Sequence, residues 1–280
     1  MHKYWWQGLH WPEYGAELLG TAFLIFAGLS AVTFDFSAGS PLATVLPDSG
    51  ARRLITGLLF AGSGSLVAIS PLGKLSGAHI NPAVSLAFWL HGKMHHHDLV
   101  GYIVGQFLGA ALGAGLLVLI WRDRAASVHN GITAPGAGYP IWGVFLIEMG
   151  LTFLLVLAIF LFVSSHRLMR WTPLMVWILV ALMVWLEAPI SGTSLSPARS
   201  FGPSLVSWFW QDQWLYYLAP PLGAILAVGF FRLLTAVGMH DVLTAKMFHV
   251  PHYRSVFKNV KAPQMNADEN GKMTMLWRNQ

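Results

Sequence analysis

Apolar residues run along this chain in long blocks, and two short polar stretches of similar composition interrupt them. The blocks fall at about 13–36, 52–70, 98–121, 140–163, 172–188 and 214–236. They reach or approach the ~20 residues with which a helix crosses a bilayer. The interruptions read SGAHINPAVS (76–85) and GTSLSPARSF (192–201). The apolar segments that follow them, PAVSLAFWLH (82–91) and PARSFGPSLVSW (197–208), are too short to cross. Each spans about three turns, roughly half a bilayer. Each opens on a proline, Pro82 or Pro197, at a first helical position where the missing N–H costs nothing. That places Asn81 and Ser196 at the N-caps, where a side-chain oxygen accepts an orphan amide hydrogen. The pattern predicts an all-α polytopic membrane protein with six transmembrane helices and two re-entrant half-helices.

The two halves echo one another. AELLGTAF (16–23) aligns with IEMGLTFL (147–154) through Glu17/Thr21 and Glu148/Thr152, and HINPAVS (79–85) aligns with SLSPARS (194–200). Three spans per half is an odd number, so the second half enters from the opposite face. This is an inverted-topology repeat, whose sites form near the midplane between halves. The expected division is an N-terminal segment 1–12, a first repeat 13–125, a second repeat 126–238 and a tail 239–280. Irregular backbone at membrane depth is tolerated only where protein buries it or where it lines a wet cavity. The loops at 69–79 and 187–196 would therefore offer carbonyls along a narrow path. The half-helix N-termini would add a positive centre there. Such a path suits a small neutral hydrogen-bonding solute and repels cations.

Composition agrees with this picture. Of 280 residues, 55% are hydrophobic and only 10% charged, against ~25% charge in soluble domains. Glu13 and Glu17 open the first block and no small-residue cleavage site follows it, so it reads as a retained span. The chain has no cysteine, which excludes disulfides and thiolate chemistry. The net charge of +5 is spread over loops and implies no nucleic-acid partner. Lys3, Lys74, Lys93, Arg167, Arg170, Arg232 and Lys246 fall on one side of the predicted spans, and Arg52, Arg53, Arg122 and Arg124 on the other. The larger group marks the cytoplasmic side. Both termini are then cytoplasmic in a cell-membrane protein, and the polar tail from Met239 reads as a solvated, partly disordered extension.

These residues carry a family resemblance. SGAHINPAV paired with SPARSFGP in the second half resembles the aquaporin and aquaglyceroporin (major intrinsic protein) family, nearest its bacterial-type water channels, over residues 12–237. The resemblance implies the aquaporin fold, one pore per subunit, a homotetramer, and water with small neutral solutes as the permeants. Asn81, Pro82 and Ala83 match the family motif. In Ser196, Pro197 and Ala198 a serine stands where the family has asparagine, and it offers one donor in place of two. Arg199 matches the filter arginine, which binds solute oxygen and rejects cations. Counting along the motif, the other filter positions are Thr193, Val184 and either Phe60 or Ala61. Strict water channels carry histidine at the position of Val184, so the gate is widened. Ser200 and the Tyr216-Tyr217 pair lean toward the water channels. The resemblance also gives Glu17 and Glu148 the role of accepting amide hydrogens from the re-entrant loops. A proton relay is the alternative for carboxylates inside a membrane.

His79, two residues before Asn81, is expected to brace the first loop through its ring nitrogens. Gly101, Gly105, Gly109 and Gly113 form a smooth stripe for helix packing. The run His95–His97 reads as a solvated loop, with pH- or metal-dependent gating as the alternative, and Asp98 as the N-cap of the third span. No nucleophile with a base, phosphate loop or spaced ligand set is present, so no catalytic residue, metal or cofactor is expected. The function expected is passive permeation of water with some leak of small neutral solutes. The alternatives are a glycerol- or metalloid-type facilitator and, from another class, a scaffold or adhesion protein with a closed pore.

Overall fold

A computed structural model of the chain describes residues 9–246 and the backbone of two short strands beyond them. Its long helices are α1 (Trp11–Phe36), α3 (Ser49–Ile69), α6 (His96–Trp121), α8 (Ile141–Val163), α9 (Thr172–Ser191) and α11 (Trp214–Ala236). All six are long and apolar enough to cross a membrane. The short helices are α2 (Pro41–Val45), α4 (Pro71–Ser76), α5 (Pro82–Leu90), α7 (Asp123–Ser127) and α10 (Pro197–Ser207). The six spans and both half-helices stand within a few residues of the positions expected from the apolar pattern.

The halves pack as the repeat requires. Helix α1 lies along α6, α8 lies along α11, and α3 meets α9 between the halves. The half-helices cross over, α5 resting on α11 and α10 on α6. The glycine stripe of α6 explains the first contact. A Cβ at Gly105, Gly109 or Gly113 would run into the backbone carbonyl of Tyr14, Leu18 or Ala22 in α1. Without hydrophobic drive between helices in lipid, such close backbone approach supplies the packing. Outward faces carry leucines such as Leu119, Leu146, Leu186 and Leu233. Exposed tryptophans gather at the helix ends, with Trp142 packed edge-on against Trp214 at 5.5 Å, as in interfacial aromatic belts.

Two expectations need correction. Asp98 does not cap α6: His95 holds the N-cap position, and the Asp98 carboxylate turns inward onto Tyr14 and His10. The chain beyond Met239 is not solvated from its start. Val242, Thr244, Ala245 and Lys246 are buried, because this stretch docks on the end of the bundle. Leu243 N–H donates to Val163 O, Lys246 Nζ to Lys74 O, and Asp241 pairs with His91 and Lys93 at 2.6 and 2.8 Å. Polar groups on a docked backbone must find partners, and here the bundle end supplies them. Farther on, β1 (Gln264–Ala267) pairs antiparallel with β2 (Met273–Leu276), Gln264 opposite Leu276. The remainder of the tail and residues 1–8 lie outside the described residues.

Candidate functional site

The two polar breaks fold alike, residue by residue. After α4, Gly77, Ala78 and Ile80 take φ of +92°, +53° and +40°. After α9, Gly192, Thr193 and Leu195 take +81°, +48° and +57°. Left-handed backbone is costly for non-glycine residues, most of all for a β-branched one such as Ile80. It persists only where the surroundings fix it, and a buried glutamate does so in each half. Glu17 accepts from His79 N–H and Ile80 N–H at 3.0 and 2.6 Å, and from Ser76 Oγ and Gln106 Nε2. Glu148 accepts from Ser194 N–H and Leu195 N–H at 2.7 and 2.9 Å, and from Ser191 Oγ. The tyrosines Tyr102 and Tyr216 complete the symmetry by donating to Ser76 O and Ser191 O.

Both N-caps are made. Asn81 Oδ1 accepts from Ala83 N–H at 2.9 Å, and Ser196 Oγ from Arg199 N–H at 3.4 Å. The halves are stitched at this level by Asn81 Nδ2, which donates to Leu195 O at 2.8 Å. One of its two amide hydrogens is so used. Ser194 Oγ contacts Ser200 Oγ, which in turn meets Thr133 Oγ1, both at 2.6 Å. The second half thus fills with hydroxyls the space where His79 and Ser85 meet in the first. The ring nitrogens of His79 also reach beyond its own loop. Its Nε2 lies 2.8 Å from Ala245 O, so this nitrogen carries the hydrogen, and Nδ1 accepts from Ser85 at 3.1 Å. It ties α5 to the docked tail.

Two cavities meet between the half-helices. The inner one is bordered by Ala61, His79, Asn81 and Ser196, the outer one by Arg53, Val184, Gly131 and Thr193. Phe60, Val180, Ser194, Leu195 and Arg199 border both. Phe60 therefore stands at the junction and Ala61 inside it. The Arg199 guanidinium lies 5.4 Å from the Phe60 ring centre and donates to Gly131 O at 2.7 Å. Its partner groups and the ring hold it across the passage, which offsets part of the cost of burying a cation. Three neighbours escaped the sequence reading. Glu187 accepts from Thr193 Oγ1 at 2.7 Å and fixes that side chain. A carboxylate inside an apolar span was signal enough to find it. Val180 is one turn from Val184 on the same face of α9. Gly131 contributes only a carbonyl and so leaves no side-chain signal.

The family model for major intrinsic proteins matches residues 6–231. Aquaporin AqpM of Methanothermobacter marburgensis is 34% identical over 241 residues, covering 79% of this chain and 96% of the relative. Aquaporin Z of Photorhabdus laumondii is 31% identical over 231 residues, with 79% and 96% covered. The X-ray structure of the aquaglyceroporin from Plasmodium falciparum superposes with a TM-score of 0.67 at 23% identity, covering 81% of this chain and 97% of that one.

Proposed function

Because the chain belongs to the major intrinsic protein family, we propose that its pore conducts mainly water, with a leak of small neutral solutes such as glycerol, urea or ammonia. The protein is a passive transmembrane channel for water and small solutes, driven by osmotic or concentration gradients. The observation that carries the finer reading is the junction of the two cavities beside both half-helix N-caps. There the filter consists of Phe60, Val184, Thr193 and Arg199, with Ala61 outside it. Asn81-Pro82-Ala83 and Ser196-Pro197-Ala198 form the midplane. A solute shedding water there finds carbonyls, the Asn81 amide and the Arg199 guanidinium as replacement partners. The cation and the facing helix ends oppose a permeating proton.

A second reading, a glycerol-type facilitator, has its own support. Phe60, Val180 and Val184 give one apolar flank, and Arg199 and Gly131 O a polar one. A polyol presents both kinds of face. Stopped-flow light scattering on proteoliposomes separates the two. Shrinkage accelerated over empty vesicles without fast re-swelling in glycerol supports the water reading. Fast re-swelling supports the facilitator. No acceleration refutes both and favours a closed scaffold. The subunits assemble as homotetramers in the cell membrane with both termini cytoplasmic. In support, Lys74, Lys93 and Lys246 sit together at one end of the bundle while Arg52 and Arg53 sit near Asp35 and Trp185 at the other.

A further inference from the structure

In the histidine run at the start of α6, His95 and His97 are half-buried and His96 is exposed, and none of the three borders the two cavities of the pore. His97 stacks between His10 and His95, at ring-centre distances of 5.8 and 5.3 Å. Asp98 is fully buried, and its Oδ1 accepts from Tyr14 Oη and lies against His10 Nδ1, both at 2.7 Å. Its other oxygen, Oδ2, is buried without a hydrogen-bond partner among the described residues, and so is His97 Nε2. These two atoms face one another at 3.6 Å. That is too long for a hydrogen bond, and each buried orphan is costly. It is close to the separation of about 3.4 Å that two ligands adopt at bond lengths near 2.05 Å around a tetrahedral zinc ion. Octahedral ligands at similar bond lengths would stand nearer 3.0 Å apart. The ligand atoms of His10, His97 and Asp98 all lie within 4.8 Å of one another.

We propose that His10 Nδ1, His97 Nε2 and the Asp98 carboxylate bind a zinc ion, with water as the fourth ligand. Binding draws His10 Nδ1 off Asp98 Oδ1, since a ligating imidazole nitrogen must be bare, and the carboxylate holds the ion through Oδ2. Tyr14 keeps its bond to Oδ1 as an outer support that orients the carboxylate. The site joins the residue before α1 to the start of α6, and so two elements that otherwise meet through the glycine stripe. His95 and His96 are outside the ligand set, His96 standing edge-on to His97.

Isothermal titration of zinc chloride into the full-length, tag-free protein in detergent tests this. Wild type is expected to bind one ion per chain at this site, with heats in two buffers of different ionisation enthalpy reporting proton release. His10→Ala and His97→Ala should each weaken that binding by at least about tenfold, the lower bound seen on losing even an outer-shell partner. The paired change His95→Ala/His96→Ala should leave it unaltered. His97→Gln, which keeps size and polarity, should weaken it as His97→Ala does, and thermal melts in the absence of zinc check that all variants are folded. Zinc binding that survives both His10→Ala and His97→Ala, or is lost only in the His95→Ala/His96→Ala protein, overturns the assignment. Absence of measurable binding to wild type at millimolar zinc overturns it too.

Discussion

The proposed filter consists of few side chains, so single substitutions there read out directly. Val184 borders the outer cavity one turn from Val180. Val184→His adds a bulky polar ring at this level, and is expected to suppress glycerol flux before water flux in re-swelling assays. If both fluxes are unchanged, Val184 is not a filter residue. Ser196 caps α10 with a long bond of 3.4 Å. Ser196→Asn should keep the cap and add bulk at the midplane. Water flux should then stay within about threefold, under 1 kcal/mol of barrier, while glycerol flux falls. A rise in glycerol flux would contradict the view that the added bulk of asparagine narrows the midplane. Thr193 is held by Glu187, whose second oxygen is buried and without a partner among the described residues.

At the scale of elements, the re-entrant loops depend on the glutamates of α1 and α8. Glu148→Ala leaves two backbone amides and the Ser191 hydroxyl without their acceptor. At about 1–3 kcal/mol for each buried orphan, a loss of more than about 3 kcal/mol in stability is expected, read as a lower thermal midpoint. An unchanged midpoint would mean that the left-handed backbone at Thr193 and Leu195 needs no such support. The docked stretch after α11 responds to pH. Burial raises the Asp241 carboxyl, but bonds from Lys93 and His91 outweigh it and hold the group below its usual value. Its folded-state value is the lower one. The contact is therefore intact above the unfolded value of about 3.9 and is lost as pH falls through the folded one. Hydrogen exchange at residues 241–246, corrected for intrinsic rates, should stay flat between about pH 7 and 5 and rise only below about pH 4. Exchange already rising at pH 6 would assign the docking to another group.

For the whole molecule, the stretch 242–246 packs on the channel body. Truncation after Lys246 is expected to leave water permeability per channel unaltered. Truncation after Gly238 removes the Ala245 carbonyl that His79 Nε2 contacts and the Asp241 carboxylate that pairs with His91 and Lys93, and is expected to lower the thermal midpoint. Equal thermal midpoints for the two truncations would show that the docking contributes nothing.

Six spans, two half-helices, their prolines and caps, and the inverted relation of the halves were legible from the chain itself. Each is written in a local pattern: apolar block length, a polar break, or Asn81 and Ser196 ahead of a proline. Glu17 and Glu148 stood out as carboxylates inside apolar spans, and their role as acceptors for the loop amides was legible only through the family resemblance. What the sequence left open depended on distance through space. The choice between Phe60 and Ala61 turns on how α3 ends at Ile69 and how α4 then carries the chain back toward Asn81. That shift in register has no local marker. The Gly131 carbonyl reaches Arg199 from a different loop, and Ala245 reaches His79 across most of the chain. Asp98 shows the same limit most simply. Helix propensity near its N-terminus favours a capping carboxylate, whereas tertiary packing brings Tyr14 and His10 within reach, and these charge-assisted bonds win. Local chemistry thus determined the elements and the polar breaks, and only the packing of the two halves decided which atoms meet within the pore.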